Sequence, residues 1–235
     1  MASRVVLVSC SLEKQGGGTP YPSGSRTLFG EIDEGLARRL RQARQGVLRG
    51  IRQGEIRDNL RGKGSRGSKK PNSGLMAGPD FGGDAEDGQY LPACARYVGR
   101  FFEAIPVSDQ WSAAWSRELH TLIVSGLYGL LHPEEPVQQY DIHLADEWSA
   151  DVRSERLVDY WRPLVTDVVL DIARRAGRKT QIVDLLSERL YQSVVDWHRV
   201  RKAGFHVYHR CFAESQWEEA LSNSGRFFLH EFLDE

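Results

Sequence analysis

The sequence predicts an α/β protein, a single domain over residues 1–235 with a mixed β-sheet flanked by helices and a flexible, basic, glycine-rich insertion. Three observations predict it. Short apolar, β-branched runs alternate with long amphipathic stretches, the order that builds a sheet with covered faces. A chain of 235 residues, 40% hydrophobic and 27% charged, can bury a sizeable core and suits one domain with an insertion. No internal repeat divides it.

Arg4 to Ser9 reads as a buried strand. Gln15 to Gly24, rich in Gly, Pro and Ser, reads as a loop. From Glu31 to Gln53, Ile32, Leu36, Leu40, Ala43, Val47 and Ile51 recur at helical spacing, opposite an arginine face of Arg38, Arg39, Arg41, Arg44, Arg49 and Arg52. Asn59 to Gly88 is glycine-rich with almost no large apolar side chain, so burial cannot offset the entropy of ordering it. Tyr90 to Ala104 is read as a helix, His120 to Val124 as a strand, and Asp151 to Ala176 as a long helix that Pro163 should kink. Gln181 to Leu186 and Phe205 to Phe212 are further strands, and Gln216 to Leu233 holds one or two closing helices.

Composition narrows the function classes. No apolar run approaches the ~20 residues that span a bilayer. The first residues lack a signal-peptide pattern, so a cytoplasmic protein without membrane attachment is expected. Cys10, Cys94 and Cys211 are too few and too widely spaced for a disulfide framework, and no C-x-x-C pair suggests structural zinc. Cys10 either lies near a site or is a small buried thiol. The net charge is −1, yet Leu36 to Lys70 holds twelve Lys or Arg against two acids. That asymmetry points to a polyanionic partner, with Arg38, Arg41, Arg44, Arg49, Arg52, Lys69 and Lys70 as backbone contacts to DNA. A solvated helix face with a basic loop, or a membrane surface, are the alternatives.

Four segments occur in a suggestive order: Ser9-Cys10-Ser11-Leu12-Glu13-Lys14; Leu91-Pro92-Ala93 with Arg96-Tyr97-Val98-Gly99; Ser125-Gly126-Leu127-Tyr128-Gly129-Leu130-Leu131-His132-Pro133 with Gln139-Tyr140-Asp141; and Asp184 to Tyr191. Together they resemble the YaaA-like family of peroxide-stress proteins, with the third the strongest match. The first lacks the family's two prolines, Asp141 replaces a polar residue that is often Arg, and Asn59 to Gly88 has no counterpart. The resemblance implies the family's own α/β fold, binding of double-stranded DNA through a helix-hairpin-helix-like contact, and protection of DNA from oxidative damage. No clear hairpin signature stands in this chain.

Ligands of open α/β sheets bind beyond the carboxyl ends of the strands, where three of these segments fall. Ser11 and Ser125 offer hydroxyls. Gly126 and Gly129 would let backbone N–H groups approach a phosphate or base, and Tyr97, Tyr128 and Tyr140 could stack an unpaired base. Each has a structural alternative: core aromatics for the tyrosines, turn closure for Ser125, a helix cap for Asp141, charge neutralisation for Lys14. Asp141 and His143 are too few for a metal site, and no cofactor is implied. Excision of a damaged or modified base would need a carboxylate to stabilise a cationic sugar, Asp141 first and Glu188 second, or Lys14 as a Schiff-base nucleophile. A non-catalytic DNA-binding stress protein and a small-molecule nucleotide enzyme are the competing expectations.

Overall fold

The computed structural model describes residues 2–57, 71–105, 108–150, 153–186, 188–210 and 217–233. Its centre is β1 (Arg4–Ser9), whose Val5, Val6, Leu7 and Val8 are fully buried. Burial on both faces explains why this run is continuously apolar rather than alternating. It is followed by α1 (Glu34–Gln53), β2 (Ile56–Arg57), β3 (Tyr90–Pro92), α2 (Ala93–Arg96), α3 (Arg100–Glu103) and α4 (Ser108–Ala113). Next come β4 (Leu119–Ser125), β5 (Gly129–Leu131), β6 (Pro136–Gln138), β7 (Glu147–Ala150), β8 (Arg153–Arg156) and α5 (Leu157–Ala176). The described chain ends with β9 (Gln181–Asp184), α6 (Arg189–Gln192), α7 (Trp197–Lys202), β10 (His206–His209), α8 (Trp217–Phe228) and a π-turn over Leu229–Leu233.

The main sheet runs β10-β9-β1-β4-β5. Four strands are parallel and β5 returns antiparallel to β4, so the sheet is mixed, as expected. α5 packs on β1 and β5 and touches α1 and α7. Two small sheets, β2-β7-β8 and β3-β6, tie the long connections to this layer.

Several boundaries differ from expectation for local reasons. α1 starts at Glu34 because Asp33 caps it, its carboxylate accepting from the Gly35 and Leu36 N–H groups. The helix expected over Tyr90 to Ala104 is a strand and two short helices: Tyr90–Pro92 pairs with β6, and Tyr97 has extended backbone. α5 starts at Leu157, since Arg153–Arg156 pairs with β7, and Pro163 lies within the helix without ending it.

The expected insertion divides. Residues 58–70 lie outside the described residues. Residues 71–88 are packed, which corrects the boundary: Leu75 and Phe81 are buried. The Met76 N–H donates to Gln138 Oε1 at 2.8 Å, and the Gln138 amide returns a bond to Met76 O at 2.9 Å. Side-chain bonds and two buried apolar anchors, Leu75 and Phe81, hold this glycine-rich stretch to the domain.

Candidate functional site

A cavity of about 390 Å³ opens where β1 and β9 end. Ser9, Cys10, Ser11, Leu12 and Glu13 line it from the β1 side, Leu185, Glu188 and Tyr191 from the β9 side. Gly99, Phe101, Phe102, His143 and Leu221 complete the wall, with Arg100 and Glu103 also lining it. This is the carboxyl edge that an open parallel sheet offers to ligands. Phe101 and Phe102 stand edge to face with centroids 5.3 Å apart and form the aromatic side. The Cys10 thiol lies 3.4 Å from the Tyr191 hydroxyl, and His143 packs edge-on to the Tyr191 ring.

Glu188 is the chemically distinctive group. It occupies the N-cap of α6, yet its side chain caps no N–H. Half-burial pushes its carboxyl pKa above the ordinary value. Such a carboxyl keeps its proton to higher pH, which suits a proton donor.

The Ser125–Gly129 segment is a structural hub rather than a ligand cradle. Ser125, Tyr97, Tyr128 and Tyr140 are all buried. Ser125 Oγ accepts from the Tyr128 N–H at 3.1 Å and bonds the Tyr140 hydroxyl at 2.8 Å, which is in turn 2.8 Å from the Tyr97 hydroxyl. The Tyr128 ring stacks on Phe81, and its hydroxyl donates to Asp80 Oδ2 at 2.8 Å. No face of the three tyrosines is open to a base as folded, which corrects their expected stacking role. Burial raises the Asp80 carboxyl to about 6, against the lowering effect of bonds from Gln138, Tyr128 and Tyr90.

The two glycines answer to packing too. A Cβ on Gly126 would meet Ile142 O at 2.7 Å, and one on Gly129, at φ +71°, would meet the Trp161 ring at 2.7 Å. Packing alone accounts for both glycines.

Lys14 and Asp141 are not among the cavity-lining residues. The Lys14 ammonium donates to Ser11 O at 3.0 Å and Leu12 O at 3.3 Å and sits 4.2 Å from the Tyr140 ring centroid, bracing the cavity loop from behind. Burial lowers its pKa, with Cys10 and Asp141 opposing. The Asp141 backbone is clamped by Asn72, N–H to Oδ1 at 2.7 Å and O from Nδ2 at 2.9 Å.

The arginine face of α1 is mostly exposed, with Arg44 buried and several of the others paired within the chain. Arg44 is fully buried, which removes it as a phosphate contact: it bonds Glu135, Tyr128 O, Asp80 O and Leu130 O. Arg39 pairs with Asp167 at 2.9 Å, Arg38 with Glu34 at 3.5 Å, and Arg52 donates to Leu75 O. Arg41 lies over the Phe29 ring, and Arg49 is exposed. Lys69 and Lys70 lie outside the described residues. Among those described, no cluster of three His, Cys, Asp or Glu could hold a metal ion, and no helix is long and apolar enough to cross a membrane.

The sequence pattern described as Peroxide stress protein YaaA matches residues 68–223. The chain belongs to the YaaA peroxide-stress family. It is also similar to proteins named UPF0246: 31% identical over 122 residues to one from Porphyromonas gingivalis, covering 50% of this chain and 45% of that protein. A second, from Azoarcus sp., is 36% identical over 84 residues, 34% of this chain and 31% of that protein. The match to the Porphyromonas protein thus spans less than half of that relative's length.

The YaaA-family match takes in the Tyr–Ser hub, Asp141 and Glu188 but begins after β1 and its loop. Of the expected site residues, the structure brings Ser11 and Glu188 to one cavity. Sequence reading missed Phe101, Phe102 and Leu221, which carry no motif and meet only through tertiary packing, and assigned no role to Tyr191 although it closes the fourth resembling segment. Cys10, a third wall residue, was signalled by its place just after an apolar strand.

Proposed function

We propose that this chain acts on DNA, taking a damaged or modified base into the carboxyl-edge cavity and cleaving its bond to the sugar. The observation that carries the reading is the cavity itself: a space of about 390 Å³ with aromatic and aliphatic walls and one partly buried carboxyl whose pKa burial raises. Membership of a peroxide-stress family supports a damaged nucleic acid as the target. Protonated Glu188 donates to the leaving base as the C1′–N bond breaks and the base keeps the bonding pair. Water adds to C1′ and returns its proton to the Glu188 carboxylate. Phe101 and Phe102 hold the flat base, and Lys14 braces the loop that closes over it. Asp141, set back from the cavity, serves architecture.

The test is release of base from duplexes carrying defined oxidised or modified bases, scored as alkali-sensitive breaks. Glu188→Gln should lower the single-turnover rate about a hundredfold or more. In the wild-type enzyme the rate should fall as pH rises through the raised Glu188 pKa. Retardation of such duplexes without any strand break would replace excision by a non-catalytic reader of damaged bases. Excision undiminished in Glu188→Gln would move the chemistry out of this cavity.

A further inference from the structure

We propose that the free edge of the main sheet, β10 together with the end of α7, is the track for the phosphodiester backbone of the strand whose base enters the cavity. The inference rests on the DNA reading and locates the partner on the molecule. From Trp197 to Arg210 the chain carries four Lys or Arg and three His and no acid. One of these cations, Arg199, is neutralised by Asp167 at 2.6 Å. Arg201, Lys202 and Arg210 are exposed, and among the described residues no carboxylate pairs with them.

Among the described residues β10 has a neighbour on one side only, β9. Its Tyr208 is 48% exposed, and the other large apolar side chain exposed among the described residues is Leu12, on the wall of the cavity. His209 fixes the local geometry. Its Nδ1 lies 2.6 Å from the buried Asp184 carboxylate and its Nε2 2.6 Å from Arg201 Nη2. An Nε2 that accepts from arginine leaves the ring proton on Nδ1 for Asp184, so the imidazole tethers Arg201 over the strand.

The register sets the distance to the cavity. His209 is level with Asp184, and Asp184 with Leu7, so β10 and β1 end at the same edge of the sheet. With strands ~4.8 Å apart, β10 lies ~10 Å from β1. That is about three nucleotide steps at ~3.4 Å each. A strand held along β10 therefore reaches the cavity mouth with a neighbouring base. Cations alone would also blunt a sheet edge against aggregation. An exposed aromatic among them works against that end, and serves instead as a stacking platform of the kind that single-stranded nucleic-acid sites combine with a cationic groove.

The test uses fluorescently labelled single-stranded and duplex oligonucleotides titrated across a range of salt. Arg201→Ala/Lys202→Ala/Arg210→Ala should lower affinity at least tenfold and flatten the slope of log K against log salt by about 2, since each lost phosphate contact removes ~0.7–0.9. Tyr208→Ala should weaken single-strand binding about tenfold and leave the slope unchanged. All four side chains are exposed, and an unchanged melting temperature checks that the variants fold. Full affinity in the triple variant, with loss instead in Arg38→Ala/Arg41→Ala, overturns the inference. So does edge-dependent binding to phosphatidylserine vesicles without binding to oligonucleotides. Edge-dependent oligonucleotide binding without base release keeps this inference and removes excision; base release with a neutral triple variant does the reverse.

Discussion

Replacing Arg44 should remove a large part of the domain's stability. Its guanidinium is enclosed, with Nη1 2.5 Å from Glu135 Oε1 and further bonds to Tyr128 O at 3.0 Å, Asp80 O at 3.1 Å and Leu130 O at 2.6 Å. Glu135 Oε2 accepts in turn from the Leu28 and His132 N–H groups. Arg44→Ala leaves a buried carboxylate without its cation and three carbonyls without donors. Breaking a buried pair by removing one partner costs about 3–5 kcal/mol, and the stranded carbonyls add to it. Arg44→Met/Glu135→Gln removes both charges and keeps most of the volume, so it should recover part of the loss. Equilibrium urea unfolding followed by far-UV circular dichroism measures each arm, and the double-mutant cycle gives the coupling. A loss under 1 kcal/mol in Arg44→Ala, or a double variant less stable than the single, would refute the reasoning.

Two further outcomes follow from the buried core. Burial depresses His132 to about 3, so the folded protein keeps the ring neutral while the unfolded chain takes up a proton below ~6.5. Its contribution is present above pH 6.5 and is lost as pH falls toward 3, about 3–5 kcal/mol in all. His132→Asn, whose carbonyl can still accept from the Glu134 N–H, should therefore show a shallower acid limb in unfolding measured from pH 7.5 to 4.5; parallel limbs would sink the idea. Gly129→Ala forces φ +71° on a side chain and a Cβ into Trp161, so stability should fall by about 2–4 kcal/mol in thermal or chemical unfolding. An unchanged melting point together with lost substrate binding would return Gly129 to the role of ligand contact.

How much was legible in the sequence depended on how local the cause was. β1, β4 and β9 declare themselves as apolar runs because each is buried by the layers around it, and α1 and α5 by periodicity. β3 and β6 do not: each holds three residues, one of them proline, and they pair across more than forty positions. β2 is two residues long and finds its partner, Trp148 and Glu147, about ninety residues away. Arg44 misled for the same reason. Periodicity assigns a residue to an angle on its own helix, and the polar angle of α1 is covered there by Glu135 and the Leu130 carbonyl arriving from distant loops. The tyrosines were undecidable until Asp80 and Ser125 were seen to take their hydroxyls, since an aromatic with a partnered hydroxyl is content in the core.

The division of labour within the family's own segments bears on substrate. The strongest resembling run, Ser125 to Gly129, contributes nothing to the cavity wall. Ser125 closes a turn, Gly126 lets the chain at Ile142 and His143 pass, Tyr128 anchors Asp80, and Gly129 admits Trp161. The wall comes instead from the loop after β1, from Phe101 and Phe102 on α3, from the turn before α6 and from α8. A scaffold held by one set of residues and a cavity lined by another can keep the first while the second changes. Belonging to this family therefore bears on the scaffold more than on the ligand. If the proposed reading holds, the choice of base falls to Leu12, Phe101, Leu185, Glu188 and Leu221, which line the cavity and carry none of these scaffold contacts.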